Sequence, residues 1–593
     1  MRRWTDLALA ALLGLTLGGA ASAQDIGIGM PSSASDWLSG KAPPRTPPTA
    51  WRPGDPRPTE AERRRPLPPP ARPATRAKGT GAGVAETAAV PRVGVTRLSN
   101  GNPDAKGAVP AGAAGLPRDL WGAAAAGDIA AALGSAQPRL AATRALLVRM
   151  LTAQLDAPTG TPGGAAGTGD EGRLFLARTD RLIALGLVPE AEALARAAGT
   201  GSAEGFARRF DAALYQGDAT EVCQLMADRP GLAPDLAARA YCLAQAGDWP
   251  AAALTLHGAR DAGLIPPQTV ALLERFLDDS SADLAEALPD PRAVSPLEFR
   301  LFEAIGQPLA TSQLPLPFAW SDLGGDAGWK AEIEAAERLA RAGAIDPARL
   351  AAAYAEQKPA ASGGIWDRAA AYQRLDAALG AGDGAALAEA LPDAERRFAE
   401  AGLLPALARL VAVRLPAAGL DGPAAESAAH LRLLAGVPVP GAARLPEADR
   451  ALVQLAEGHP AAAPVAADGD GADADRTAPL APAAPADTAQ ASDTRPAADG
   501  PAPPPYSDPA YAPGSPGAAY AAALRTPPDL APPPQGRGLA LLAALTDVEA
   551  GLDGDTARAA GGLAALTRLG QPETARRAAV ELLLTDHLGG PRR

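Results

Sequence analysis

Proline placement decides where this chain can pack. Of its 61 prolines, 15 fall within residues 41–110 and 18 within residues 459–536. Each proline removes a backbone donor and fixes φ, so runs such as APPRTPP (42–48) and RRRPLPPPA (63–71) favour extended chain over helix or sheet. Within the second stretch neither 478–487 nor 501–505 carries an apolar period, so it does not bury enough surface to offset the entropy of ordering. Two disordered segments are therefore expected, an arm over 24–115 and a linker over 459–536, with a smaller flexible loop over 158–172. Residues 41–110 hold 13 Lys/Arg against 5 Asp/Glu, a balance of +8, and since the chain sums to −12 the remainder carries −20. The arm reads as a solvated linker or as a basic tether that touches an anionic envelope surface or an acidic face. The later linker is acidic.

Between and after these segments the pattern changes to helix. Residues 173–194 place Leu174, Leu176, Leu182, Ile183, Leu185 and Leu187 at helical neighbour spacings, and the habit then repeats across short glycine turns. Gly186, Gly217 and Gly247 mark successive turns, a regularity expected of stacked helix hairpins. In Gly247-Asp248-Trp249 with Ala252 and Ala259, and in Gly186 with Ala191 and Ala198, the spacing of small residues resembles the inter-helix turn of the tetratricopeptide family. At Gly217 the two small positions are Val222 and Arg229; at Gly570 they are Ala575 and Leu582; weaker echoes stand at Gly343, Gly382 and Gly402. The resemblance covers 173–263, and more loosely 330–415 and 537–588. It implies an all-α, helical-hairpin repeat solenoid, with a body over 116–458 and a C-terminal helical unit over 537–593. That last unit exposes Leu539, Leu541, Leu542 and Leu545 if it stands alone, so it is expected to pack back as the cap of the array.

The first residues read as an export signal. Met1-Arg2-Arg3 is a basic start, residues 7–17 (LALAALLGLTL) an apolar core, and Ala21-Ser22-Ala23 a small-x-small cleavage pattern before Gln24. The expectation is a periplasmic protein, with secretion as the alternative, its signal (1–23) removed and no stable membrane insertion afterwards, because no later run approaches the ~20 apolar residues a bilayer needs. Arginine (50) far outnumbers lysine (5), as in bacterial proteins read from GC-rich genes. With this signal, VGVTRL at 93–98 and GLPRDLWG at 115–122, the chain resembles a group of exported alphaproteobacterial proteins, some labelled antifreeze-glycopeptide-like. That label implies tandem Ala-Ala-Thr units; the chain has one copy, at 141–143.

Cys223 and Cys242 lie symmetrically about the turn at 229–234 (RPGLAP). Residues equidistant from the turn of an antiparallel helix pair face each other, so the spacing favours a disulfide between the second helix of one unit and the first of the next. A pair of reduced buried thiols is the alternative. No Cys-x-x-Cys redox motif is present, and His257 is too distant to complete a metal site.

No reactive constellation emerges. The net charge of −12 disfavours a nucleic-acid binder. Four His and two Cys exclude a large metalloenzyme centre. Neither cofactor nor metal is expected, and His257, His430, His459 and His587 read as scattered surface or capping groups. GTGAG at 79–83 lacks the Lys-Ser/Thr of a phosphate loop, and DGDGADAD at 468–475 lacks the Gly and Glu of a calcium loop. The acidic cluster Asp278, Asp279, Asp283, Glu286 and Asp290 reads as solvated helix-end charge, with a paired-carboxylate glycosidase site as the sharper alternative. Trp320, Trp329 and Trp366 are candidate partner-binding anchors or core fillers. Trp121, in the apolar motif at 116–122, either staples the arm to the body or docks a partner. The functional expectation is a non-enzymatic protein-interaction scaffold of the cell envelope that binds other envelope proteins. A peptidoglycan-acting enzyme and a passive structural spacer are the alternatives.

Overall fold

The computed structural model describes residues 101–160, 171–199, 202–278, 287–324, 327–359, 362–458, 514–527 and 536–588. All belong to one compact unit, Gly94–Arg593. The expected signal and the arm up to residue 100 lie outside the described residues, as do 459–513 of the linker with its acidic run.

The described chain is mostly helical, with almost no strand. Its two strands, β1 (Val109–Pro110) and β2 (Ala153–Gln154), are two residues each and pair in parallel. Helices α1 (Ala126–Ser135) and α2 (Ala141–Thr152) precede three hairpins. These are α3 (Arg173–Ala184) with α4 (Val188–Ala198), α5 (Ala203–Gln216) with α6 (Thr220–Asp228), and α7 (Leu236–Gln245) with α8 (Trp249–Asp261). Gly186, Gly217 and Gly247 stand at the three turns with φ of 77°, 82° and 82°, the left-handed region that a Cβ disfavours. Of the small residues after these turns, Ala191, Ala252 and Ala259 are buried and Ala198 is half-buried. The weaker glycine echoes are turns too: Gly343, Gly382, Gly402 and Gly570 all have positive φ.

The helices gather around two cores. Helices α5 to α8, with α9 (Pro267–Leu277) and α10 (Pro296–Ala304), enclose Phe206, Phe210, Val222, Leu256, Leu273 and Phe302. Within this lobe Cys223 of α6 and Cys242 of α7 form a disulfide, with Cα atoms 5.0 Å apart. The larger core collects α1 to α4 together with everything from the 3-10 segment Leu316–Gly324 onward. Its later helices are α11 (Trp329–Arg341), α12 (Pro347–Ala355), α13 (Gly364–Ala381), α14 (Gly384–Glu400), α15 (Leu404–Val411), α16 (Pro423–Ala435) and α17 (Glu447–Glu457). The chain ends with α18 (Pro516–Leu524), α19 (Arg537–Glu549), α20 (Thr556–Arg568) and α21 (Pro572–His587).

The C-terminal helices pack against the last body helices, α16 and α17, and also against the first, α1 and α2. Contacts therefore run from α2 through α3, α4, α5, Leu316–Gly324, α11, α12, α15, α16 and α21 back to α2. Leu541, Leu542 and Leu545 are buried by this closure.

Three sequence expectations shift. The arm does not extend to residue 115: Asp104, Ala111 and Ala114 are buried, and β1 pairs with β2 directly after α2. What orders this segment is the fully buried Arg178, which donates to the carbonyls of Lys106 (2.8 Å), Leu151 (2.7 Å) and Ala153 (2.7 Å). The linker is not featureless either. Ser515 caps α18, Pro516 sits in its first turn, and Tyr520 is buried where α18 packs on α20. Finally, Leu116, Leu120 and Trp121 are buried, and Leu120 and Trp121 meet the start of α19. Gly538 N–H donates to the Leu120 carbonyl at 2.8 Å, and a Cβ on Gly538 would lie 2.4 Å from the Trp121 ring.

Two stability measurements test this arrangement. Gly538→Ala must displace Trp121 or α19, so it is expected to cost about 1–3 kcal/mol in urea unfolding. Removal of the disulfide by Cys223→Ser with Cys242→Ser is expected to cost about 3 kcal/mol, because the cross-link removes loop-closure entropy from the unfolded chain. A reductant should lower wild-type stability equally and leave the double variant unchanged.

Candidate functional site

The aromatic candidates separate by burial. Trp121 is fully buried and Trp320 nearly so, its Nε1 donating to the Gly186 carbonyl at 2.7 Å. Both fill volume in the larger core and present no face to a partner. Trp329 and Trp366 are half-buried with ring centroids 4.9 Å apart, and Trp329 Nε1 donates to the Ala353 carbonyl at 2.7 Å. One turn along α11 from Trp329, Glu332 has its carboxyl pushed up to about 7 by burial and then by the neighbouring Glu356. Of the acidic cluster, Asp278 ends α9 and Asp290 is exposed; Asp279, Asp283 and Glu286 lie outside the described residues.

The large apolar side chains that stay exposed are concentrated. Among the described residues they are Trp249 (47%), Leu254 (75%), Leu264 (63%) and Val413 (76%), so three of four lie on α8 and the turn after it. Trp249 is the outer end of an aromatic row: its ring lies 5.9 Å from Phe276, which stacks 5.8 Å from Tyr241, beside Cys242. Sequence reading used Trp249 only as a turn residue, because exposure is not visible in a helical period alone.

Histidine is the second surprise. His430 on α16 is buried between two carboxylates, Nδ1 2.8 Å from Glu395 Oε1 of α14 and Nε2 3.1 Å from Asp449 Oδ1 of α17. Ser427 donates to the other Glu395 oxygen. Burial alone would lower the His430 pKa, but hydrogen bonds and charge from Asp449 and Glu395 outweigh it and raise the group to about 9. His587, in the last turn of α21, brings its ring 5.7 Å from that of His430. So the histidines are not all scattered: two meet across elements, whereas His257 is exposed and His459 lies outside the described residues. No local spacing announces this meeting, because the groups come from four different helices.

A third polar node closes the array. Helix α2 begins at Leu140 without a side-chain cap of its own. Glu581 of α21 accepts the N–H groups of Ala141 (2.6 Å) and Ala142 (3.0 Å); Glu549 of α19 accepts the Leu140 N–H (3.1 Å) and the Thr143 hydroxyl. Arg139 pairs with Asp553 at 2.8 Å and reaches Glu549. Beside this clasp lies a cleft of about 210 Å³ lined by Leu140, Leu404, Leu434, Glu581, Leu584 and Leu588. Burial pushes the Glu581 carboxyl up to about 7, against the opposing pull of the two N–H groups and of Arg144 and Arg577.

Comparison with family models, curated proteins and solved structures gives no match.

The Glu581 geometry sets a sign for pH dependence. Its folded pKa lies above the unfolded value of 4.5, so this group's contribution to stability is full below that value and is lost as pH rises through about 7. Glu581→Gln is expected to flatten the fall in urea stability between pH 5 and 8 by an amount on the order of 2 kcal/mol. Equal pH slopes for wild type and variant would contradict this.

Proposed function

We propose that this protein is a non-enzymatic interaction scaffold of the bacterial cell envelope, built in part from tetratricopeptide-like helix hairpins, that holds other envelope proteins. The observation that carries the reading is the grouping of Trp249, Leu254 and Leu264 on the lobe pinned by the disulfide. Exposed aromatic and aliphatic side chains grouped on a rigid element favour partner binding, since Trp anchors are enriched at binding hot spots. Rigidity at α6–α7 lowers the entropy lost on association. The disulfide itself fits an oxidising compartment such as the periplasm, in line with the export signal read in residues 1–23. Among the described residues no helix is long and apolar enough to cross a membrane.

One observation favours the enzyme alternative. Glu332, raised to about 7 beside Glu356, stands one turn from Trp329 and its neighbour Trp366, a pairing of a proton-holding carboxyl with aromatic faces suited to a glycan.

Site-specific photo-crosslinking in intact cells separates these readings. A crosslinker at Leu254 is expected to give a discrete adduct with an envelope protein, while one at Val413 gives none. Trp249→Ala should weaken capture by about 10-fold or more. Absence of any reproducible adduct would favour the passive spacer. Digestion of peptidoglycan by the purified protein, abolished by Glu332→Gln or Asp278→Asn, would replace the scaffold reading by a hydrolase.

A further inference from the structure

We propose that His430, Asp449 and His587 form a binding site for one divalent zinc-class metal ion, which fastens the C-terminal helix α21 to α16 and α17. The donor atoms are one ring nitrogen from each histidine and an oxygen of Asp449, and all lie within 4.8 Å of one another. In tetrahedral zinc coordination, with bonds near 2.0–2.2 Å, ligand atoms stand roughly 3.3–3.5 Å apart. His430 Nε2 and Asp449 Oδ1, at 3.1 Å, already approach that separation. His587 is exposed in the last turn of its helix, so a side-chain rotation of its imidazole supplies the closure. Water takes the fourth position.

The support behind the ligands is what distinguishes this cluster from an incidental one. A metal-bound histidine usually donates its second ring N–H to a carboxylate, which fixes the tautomer and aims the free lone pair at the ion. His430 Nδ1 lies 2.8 Å from Glu395 Oε1, and the second Glu395 oxygen is held by Ser427. That arrangement leaves Nε2 beside Asp449 Oδ1, and the incoming ion displaces the proton held there, which leaves to solvent. Two imidazoles with one carboxylate favour zinc over calcium or magnesium, which prefer all-oxygen shells. The ligands come from three helices that also touch through apolar contacts, and one of them belongs to the unit that follows the linker. An ion here would cross-link α21 to the body at the helix end opposite Pro572. The inference does not depend on the scaffold reading.

The test uses the untagged full-length exported chain, stripped with a chelator. Zn²⁺ titrated against a chromophoric competitor is expected to bind at one equivalent per chain, and Co²⁺ to give the intense visible absorption of a four-coordinate N/O site. Zn²⁺ should raise the Tm of the wild type. His587→Ala, a change at an exposed position, should leave the far-UV circular dichroism unchanged and abolish both the cobalt band and the zinc-dependent rise in Tm. Glu395→Gln should weaken zinc binding about 10–100-fold. His257→Ala should alter nothing. Failure of the wild type to bind stoichiometrically overturns the proposal, as does equal binding by wild type and His587→Ala. Because His587 is exposed, that variant keeps the test decisive even if changes at the buried Glu395 or His430 unfold the chain.

Discussion

The first turn of α2 leaves backbone N–H groups with no partner inside their own helix. Those of Leu140 and Ala142 are buried and that of Ala141 is partly so; a buried one would cost about 1–3 kcal/mol if left without an acceptor. Glu549 and Glu581 satisfy them from α19 and α21. The circuit of helices depends on this junction, because it is where the last elements of the chain meet the first. Without it α21 would retain only α16, α17 and its own neighbours, and the apolar face of α19 would lose α1.

The same device recurs elsewhere. Helix α3 begins at Gly172 without a side-chain cap, and Asp104 accepts the N–H groups of Gly172 (3.1 Å) and Phe175 (2.7 Å) from 68 and 71 residues away. At the C-terminal ends arginine plays the complementary part. Arg300 donates to the Leu214 and Tyr215 carbonyls at the end of α5, Arg341 to Ala401 after α14, and Arg577 to Ala435 at the end of α16. A planar guanidinium reaches two carbonyls at once, which a lysine ammonium on a flexible stem does less well. The excess of arginine over lysine, read first as a trace of coding bias, therefore has a structural use here. Helices are tied to distant helices through their ends, while alanine-rich faces supply close packing between them.

This explains what was legible in the sequence. Gly186, Gly217 and Gly247 announced their turns because a left-handed backbone selects glycine locally. Cys223 and Cys242 announced their pairing because one turn lies between them. Ser515-Pro516 carried a helix start that proline counting obscured, since proline is as much at home in a first helical turn as in an extended arm. Pro103 and Pro110 misled in the same way: one opens a 3-10 turn and the other ends a two-residue strand. The trans caps and the meeting of His430 with Asp449, Glu395 and His587 were not legible at all. Each joins groups from separate helices, and nothing in local spacing distinguishes a carboxylate bound for solvent from one bound for a remote helix end.

The order of synthesis gives the α2 junction a cost in time. Glu581 lies 440 residues after the N–H group it receives. At ~5–20 residues per second, α2 leaves the ribosome on the order of 20–90 s before its acceptor exists. Throughout that interval its first turn must be served by water or by a chaperone, and Leu140 with its neighbours stays uncovered. A chain built this way cannot complete its fold piecemeal from the front; it becomes native only once its last helix has emerged.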